Sequence, residues 1–490
     1  MPLFIFILFF LISPIAVFAQ EEKSTEVNGY ASNRLTGSLI NVNTLIPIKD
    51  TPAFLNMIEG NVQLKRTLFK NAFFYTDASA LIQFGGVFFE RGSQGQRQLI
   101  DAHDATQIRP QFALSEAYFS YSPSPYFNLT VGKKRVVWGP GFANNPTDII
   151  NPGKDPSDPG LQRTGAFLVR AEVPLEHMTF SLLFSPQVLY QEHGLPYAIM
   201  HYPNYPSKNT LLAPNLYPDQ RDKDWHYLIA ARLYLLIKEA DINLMYYFSN
   251  LYQDGFKNKS RIGLTFSRYF FTDYEFHAEL LLQSGSSKNY FNTKCLNDLF
   301  AIAQCQAQNT PIMGPFKLEK IDFYPRLLVG ARRVFSDESQ LSLEYYYVGD
   351  GYDHTQFQAF SQTLAFEKQK SNNFNSSFFY NTNNQNSSLV SRFSFDPLRR
   401  HYLFLSYSKP KIDDDFTISA QLITGLEDLS GIIIPSVSWN AREWLTLQLN
   451  AFVPFYGILL NTAQVNEKSY WEYGLTPFDW RITLDIKAYY

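Results

Sequence analysis

Catalysis on a β scaffold would need an imidazole beside a serine or acid, so the eight histidines are the first residues to weigh. They are scattered. The segment "YDHTQF" around His354 carries no serine at a matching strand position, and no catalytic residue is assigned. The cysteines, Cys295 and Cys305, lie ten residues apart in one polar segment with no histidine close in sequence. A disulfide is the expectation for such a pair in an oxidising compartment, and no metal or cofactor is assigned.

Charge is the remaining chemistry. Arg170 and Glu172 stand in "VRAE", Arg332 in "GARRV", Glu344 in "SLEYYY", and Arg481, Asp485 and Lys487 near the end of the chain. Each sits at the polar positions of an alternating pattern. Their mixed signs argue against a strongly anion- or cation-selective passage. They can line a channel, or they can pair across it and satisfy one another. A net charge of −3 gives no basic field for nucleic acid.

The elements that position these charges read as strands. "DFTISAQLI" sets Phe416, Ile418, Ala420 and Leu422 against Thr417, Ser419 and Gln421. "EFHAELLLQ" sets Phe276, Ala278, Leu280 and Leu282 against His277, Glu279 and Gln283. "LTLQLNA" and "RIGLTFS" alternate in the same way, and the slightly negative mean hydropathy fits such interleaving. No comparable stretch repeats at helical spacing.

Residues 1–19 form the one long apolar run, with Val17-x-Ala19 before Gln20, and read as a cleaved signal peptide. The chain from 20 to 490 then reads as one all-β domain of about 18 strands, with short turns alternating with long insertions. That alternation is the mark of a closed antiparallel outer-membrane barrel with short periplasmic turns and long external loops. The 43 Phe and 31 Tyr would supply its interfacial girdles. "FDWRITLDIKAYY" ends on Tyr490 in the apolar register, as the barrel-insertion machinery commonly requires. An N-terminal plug, as in an energy-coupled receptor, has no room, because strand patterning starts near Val27.

The stretch "VGKKRVVWGPGFANNPTDIINPGKDPSDPG" starts as a strand and ends as a Gly- and Pro-rich run. By strand period Lys134 and Trp138 share one face and Lys133 and Arg135 the other. The second pair either meets lipopolysaccharide phosphates at the outer rim or is turned into the lumen by a bulge at Gly132. Asp148, Asn151 and Asp155 can cap turns, and the prolines stiffen the path. Such a loop suits an inward-folded constriction; an ordinary external loop is the plainer alternative.

"GKKRVVWG" followed by "NPTDIINPGKDP" resembles the Gly-Arg-Gln-x-Val-x-Trp-Gly … Asp-x-Ile-Asn-Pro signature of an uncharacterised family of Gram-negative outer-membrane barrels. That family looks akin to the alginate-export and capsule-assembly (Wzi-like) barrels. Gly132, Lys133, Trp138, Gly139, Asp148, Ile150, Asn151 and Pro152 carry the match, and Lys134 stands where the family tends to have Gln. The resemblance implies location and architecture rather than cargo. The expectation is a channel or export conduit for a solute, glycan or lipid-like molecule, in contact with outer-membrane lipid and lipopolysaccharide. A surface polysaccharide-binding or structural barrel is the alternative, with "YAIMHYPNYP" (197–206) able to stack sugar rings. Oligomeric state is not legible.

Overall fold

The computed structural model describes residues 24–40, 54–84, 89–91, 97–99, 109–151, 165–186, 227–249, 260–285, 290–291, 313–314, 323–359, 361, 397–456, 471–476 and 478–490. The expectations for residues 1–19, Asp155, the loop 197–206 and the pair Cys295 and Cys305 lie outside the described residues.

Eighteen antiparallel strands pair with their neighbours along the chain, and the first pairs with the last. They are β1 (Thr25–Ile40), β2 (Phe54–Phe69), β3 (Ala72–Phe84), β4 (Arg109–Ser124), β5 (Phe127–Lys134) and β6 (Ala166–Pro174). Next come β7 (Met178–Pro186), β8 (Tyr227–Ile237), β9 (Ala240–Ser249), β10 (Ser260–Phe270), β11 (Tyr274–Ser284) and β12 (Phe323–Val334). The circuit ends with β13 (Gln340–Val348), β14 (His401–Ile412), β15 (Phe416–Gly425), β16 (Gly431–Arg442), β17 (Leu445–Phe455) and β18 (Phe478–Tyr489). Two short hairpins, Phe89–Arg91 with Arg97–Leu99 and Tyr290–Phe291 with Met313–Gly314, form separate sheets.

Closure leaves no unpaired edge, which is the condition for placing a sheet in hydrocarbon. The alternation read from sequence decides which face goes where. On β11, His277, Glu279, Leu281 and Gln283 are buried in the interior, while Phe276 and Leu282 are exposed on the outside. Leu264, Val437 and Ile482 are exposed in the same way on β10, β16 and β18. The exterior is therefore a continuous apolar surface suited to lipid.

One end of the barrel has tight turns, such as 238–239, where Lys238 and Glu239 both take positive φ, as a two-residue hairpin turn requires. The turn read at 440–442 is displaced to 443–444, because a register shift between Asn440 and Arg442 carries β16 further. Long connections occupy the other end, except for 426–430 between β15 and β16.

The seam is locked by the chain terminus. Gly29 N donates to Tyr490 O at 3.2 Å, and Tyr490 N donates to Gly29 O at 3.1 Å. The Tyr490 hydroxyl donates to Asn61 O at 2.7 Å, and its ring occupies the space a Cβ at Gly29 would need.

Candidate functional site

The segment of interest begins with a backbone irregularity. Gly132 has φ +128°, and a Cβ there would collide with the Ala117 carbonyl and the Tyr118 backbone. Opposite it, the pairing of β3 with β4 shifts register between Asp77 and Ala78, which face Glu116 and Leu114, so Ser115 forms a bulge, and its carbonyl accepts from Gly165 N at 2.8 Å. That bulge carries the Leu114 carbonyl to Lys133, whose Nζ donates to it at 2.5 Å in a fully buried position. Lys134 lies 4.3 Å from the ring centroid of Tyr118. Arg135 pairs with Glu116, its Nη2 donating at 3.0 Å and its backbone N at 2.8 Å. The three cations thus divide: Lys133 is enclosed on a backbone carbonyl, and Arg135 is tied to a buried wall carboxylate.

After Lys134 the chain leaves the sheet and turns across the interior. Asn151 Oδ1 accepts from Val136 N at 3.1 Å, its Nδ2 donates to the Val136 carbonyl, and Nδ2 also donates to Asp148 Oδ1 at 2.9 Å. Asp148 and Asn151 therefore cap the segment internally, as their side-chain chemistry permits. The far side is held by two glutamates. Glu279 Oε1 accepts from Gly141 N at 2.7 Å and from Asn145 Nδ2 at 3.2 Å. Its Oε2 accepts from Thr147 N at 3.1 Å and Thr147 Oγ1 at 2.6 Å. Glu344 accepts from Phe142 N and, at 2.8 Å, from Ala143 N, while His277 Nε2 lies 2.9 Å from its Oε1.

Glu279 is on β11 and Glu344 on β13, six and eight strands round an eighteen-strand circuit from β5. The segment therefore starts at one wall and is fastened near the opposite one. The crossing leaves little room for a side chain: a Cβ on Gly141 would lie 2.0 Å from the Asn144 carbonyl oxygen, and one on Gly139 would lie 2.5 Å from Glu279 Oε1, which would have to shift.

Apolar packing reinforces these bonds. Val136, Trp138, Ile149 and Ile150 pack on inward-facing Leu168, Leu183, Leu228, Met245, Tyr247 and Leu281. Trp138 lies 5.7 Å from the Tyr247 ring, with the Arg232 guanidinium 5.9 Å from the indole, and the Tyr247 hydroxyl donates to Thr147 O at 2.6 Å. Further round, Ala143 joins a cluster with Leu328, Tyr346, Phe404, Ile423 and Ile432. Strand alternation alone assigns the polar face to the lumen. Toward the long-loop end the interior wall from β6 to β16 is instead largely apolar, because the chain itself covers it.

A second inward contact comes from 471–476. Glu472, fully buried, accepts from the Tyr402 hydroxyl at 2.8 and 2.7 Å and from Leu398 N at 3.0 Å. Burial raises its carboxyl to about 7, with neighbouring Asp428 adding to the rise. Arg399 holds Asp428 at 3.2 Å and Glu427 at 2.5 Å, so this corner ties Leu398 and Arg399, the turn 426–430 and the segment 471–476 together.

The other wall charges are paired. Arg170 meets Glu172 at 2.9 Å, Arg332 meets Glu275, and Asp485 meets Arg34 at 2.8 Å. Arg481 lies over Phe478 at 4.1 Å, and Lys487 over Tyr30 at 3.7 Å. Of the wall charges read from sequence, only Glu344 touches the crossing segment. Glu279, His277 and Tyr247 were missed as its anchors. A signal was present: "ELLLQ" places Leu281 at a polar position beside Glu279, so both strand faces are apolar there and something must cover the inner one.

No family model matches the chain, and no curated protein matches it. Similar solved structures include Acinetobacter baumannii OccAB3, with 9% identity, TM-score 0.48, and 95% of this chain and 99% of that one covered. Pseudomonas aeruginosa OpdK with vanillate gives 8% identity, TM-score 0.48, and coverage of 95% and 98%. A Rhodopseudomonas blastica porin mutant gives 8% identity, TM-score 0.40, and coverage of 95% and 100%. These likenesses do not show the kinship to alginate-export and capsule-assembly barrels that the motif implies, and the barrel rests on its own strand pairing.

Proposed function

We propose that the chain is an outer-membrane channel for small solutes, exported with cleavage after Ala19 and narrowed by its own segment 135–151. The apolar exterior and edge-free sheet suit hydrocarbon, and the end of the barrel that carries the long connections is assigned to the exterior. A lumen closed by eighteen strands is wide enough for water and must be restricted by loops if it is not to leak. The hydrogen bonding of Gly141–Thr147 to Glu279 and Glu344 carries this reading, because it fixes a loop across the interior rather than above it. Charge-assisted bonds of this kind contribute about 1.5–3 kcal/mol each.

Lipopolysaccharide would meet the external rim, and the barrel-insertion machinery would deliver the chain. Kinship with the motif family belongs to this reading. The protein acts as a conduit and not as an enzyme. Purified full-length protein in a planar bilayer should give discrete ion-conducting steps. A closed bilayer at every protein concentration, with the barrel folded, would contradict it.

A further inference from the structure

Resting on the channel reading, we propose that solutes pass along one side of the lumen, the inner face of β15, β16 and β17, and that this lane serves neutral, hydroxyl-rich molecules such as saccharides. The inward residues there are serine, threonine, asparagine and glutamine. Ser436 pairs in register with Asn450, Ser438 with Gln448, and Asn440 with Thr446. The rungs extend onto β15, where Ser419 meets Ser436 and Thr417 meets Ser438. Between the apolar residues at the long-loop end and Arg442 at the other rim, the inward positions of β15–β17 carry no charged side chain.

This face is also open. Asn440 and Gln448 are exposed, whereas the inward residues of β9 and β11 lie buried against the crossing segment. Gln448 Nε2 donates to Ser436 Oγ at 3.3 Å and to Asn450 Oδ1 at 3.1 Å, so neighbouring rungs already exchange hydrogen bonds.

Hydroxyls and amides both donate and accept, so a polyol can trade its water for wall contacts at every rung. The nearest charges, Asp485 and Lys487, stand in register with Gln448 and Thr446 on β18 and are engaged by Arg34 and by the Tyr30 ring, so a charged solute would have to compete with those partners to regain what it loses in hydration. The charges elsewhere on the wall are engaged: Arg170 with Glu172 on opposite β6, and Arg332 with Glu275 between β12 and β11.

The test is swelling of liposomes carrying the full-length protein, in a neutral disaccharide, a size-matched uronic-acid disaccharide and a size-matched amino disaccharide. The neutral sugar should enter about threefold faster than either charged one. Gln448→Glu should slow the acidic sugar and speed the amino sugar by a similar factor. Ser438→Asp, one strand away, gives the same reading if the first variant fails to assemble. Equal entry of all three sugars, or unchanged ratios in both variants, would overturn the lane while leaving the channel standing. No entry of any sugar and no conductance would overturn the channel reading with it.

Discussion

The wall from β6 to β13 and the wall from β15 to β17 share one exterior pattern and differ inside. Both present leucine, isoleucine, valine and aromatics to the outside, because lipid accepts nothing else at depth. Inside, the first wall carries Leu168, Leu183, Met245 and Leu281, with Glu279 and Glu344 between them, and is covered by 136–151. The second carries buried Ile423, Ile432 and Ile434 toward the long-loop end, and below them serine, threonine, asparagine and glutamine that stay partly or fully exposed. The contrast teaches that an inward residue reports what covers it. Apolar side chains facing a lumen mark a docked loop, and uncharged polar ones mark open passage.

The largest effect should come from removing both anchors. Glu279→Ala with Glu344→Ala deletes the acceptors for six donors from the segment, and the loop should leave the wall. Hydrogen exchange at Gly141, Ala143 and Thr147 should accelerate strongly, and conductance should rise. Retained protection would mean that apolar packing alone holds the crossing.

Gly139→Ala comes next. Its new Cβ would meet the Glu279 carboxylate, and overpacking of this sort costs about 1–3 kcal/mol. Proteolysis within 136–151 should become faster while the barrel stays heat-modifiable on gels.

The Glu472 corner should respond to pH. Its folded value, about 7, lies above the ordinary 4.5, so its contribution is fully present below about pH 4.5. It declines as pH rises and is lost above about 7, a change of about 3 kcal/mol. Protection of the Leu398 and Glu472 amides, taken relative to the base-catalysed intrinsic exchange rate at each pH, should therefore fall between about pH 5 and 8, roughly spanning that titration. Glu472→Gln should flatten the profile; a pH dependence persisting in that variant would assign it elsewhere. The smallest effect belongs to the open wall, where Ser438→Ala should change stability by no more than about 0.5 kcal/mol in denaturant titration.

Much of the barrel was legible because lipid imposes a strict period of two. The exterior residues of "DFTISAQLI" and of the final strand were readable one by one; the departure of the chain from the sheet, read near Trp138, comes four residues earlier, after Lys134. The face of Lys133 and Arg135 was not, because it depends on a bulge in β4 and a positive φ at Gly132, both products of strand pairing. The anchors were hidden for a similar reason: Glu279 lies more than a hundred residues from Gly141, and only closure of the barrel brings them together. The tripled leucine of "ELLLQ" was the local trace of that contact. Asp148 and Asn151 were legible as caps, since their partners lie within a few residues.

The central claim is that 135–151 restricts the lumen. Single-channel conductance of the full-length protein, compared with a variant in which residues 140–150 are replaced by a short glycine linker, tests it directly. Loops of this kind contribute little to the hydrogen-bonded wall, so the variant should still assemble. Conductance should be distinctly larger in the variant; an equal conductance from a properly folded barrel would contradict a restricting role for 135–151.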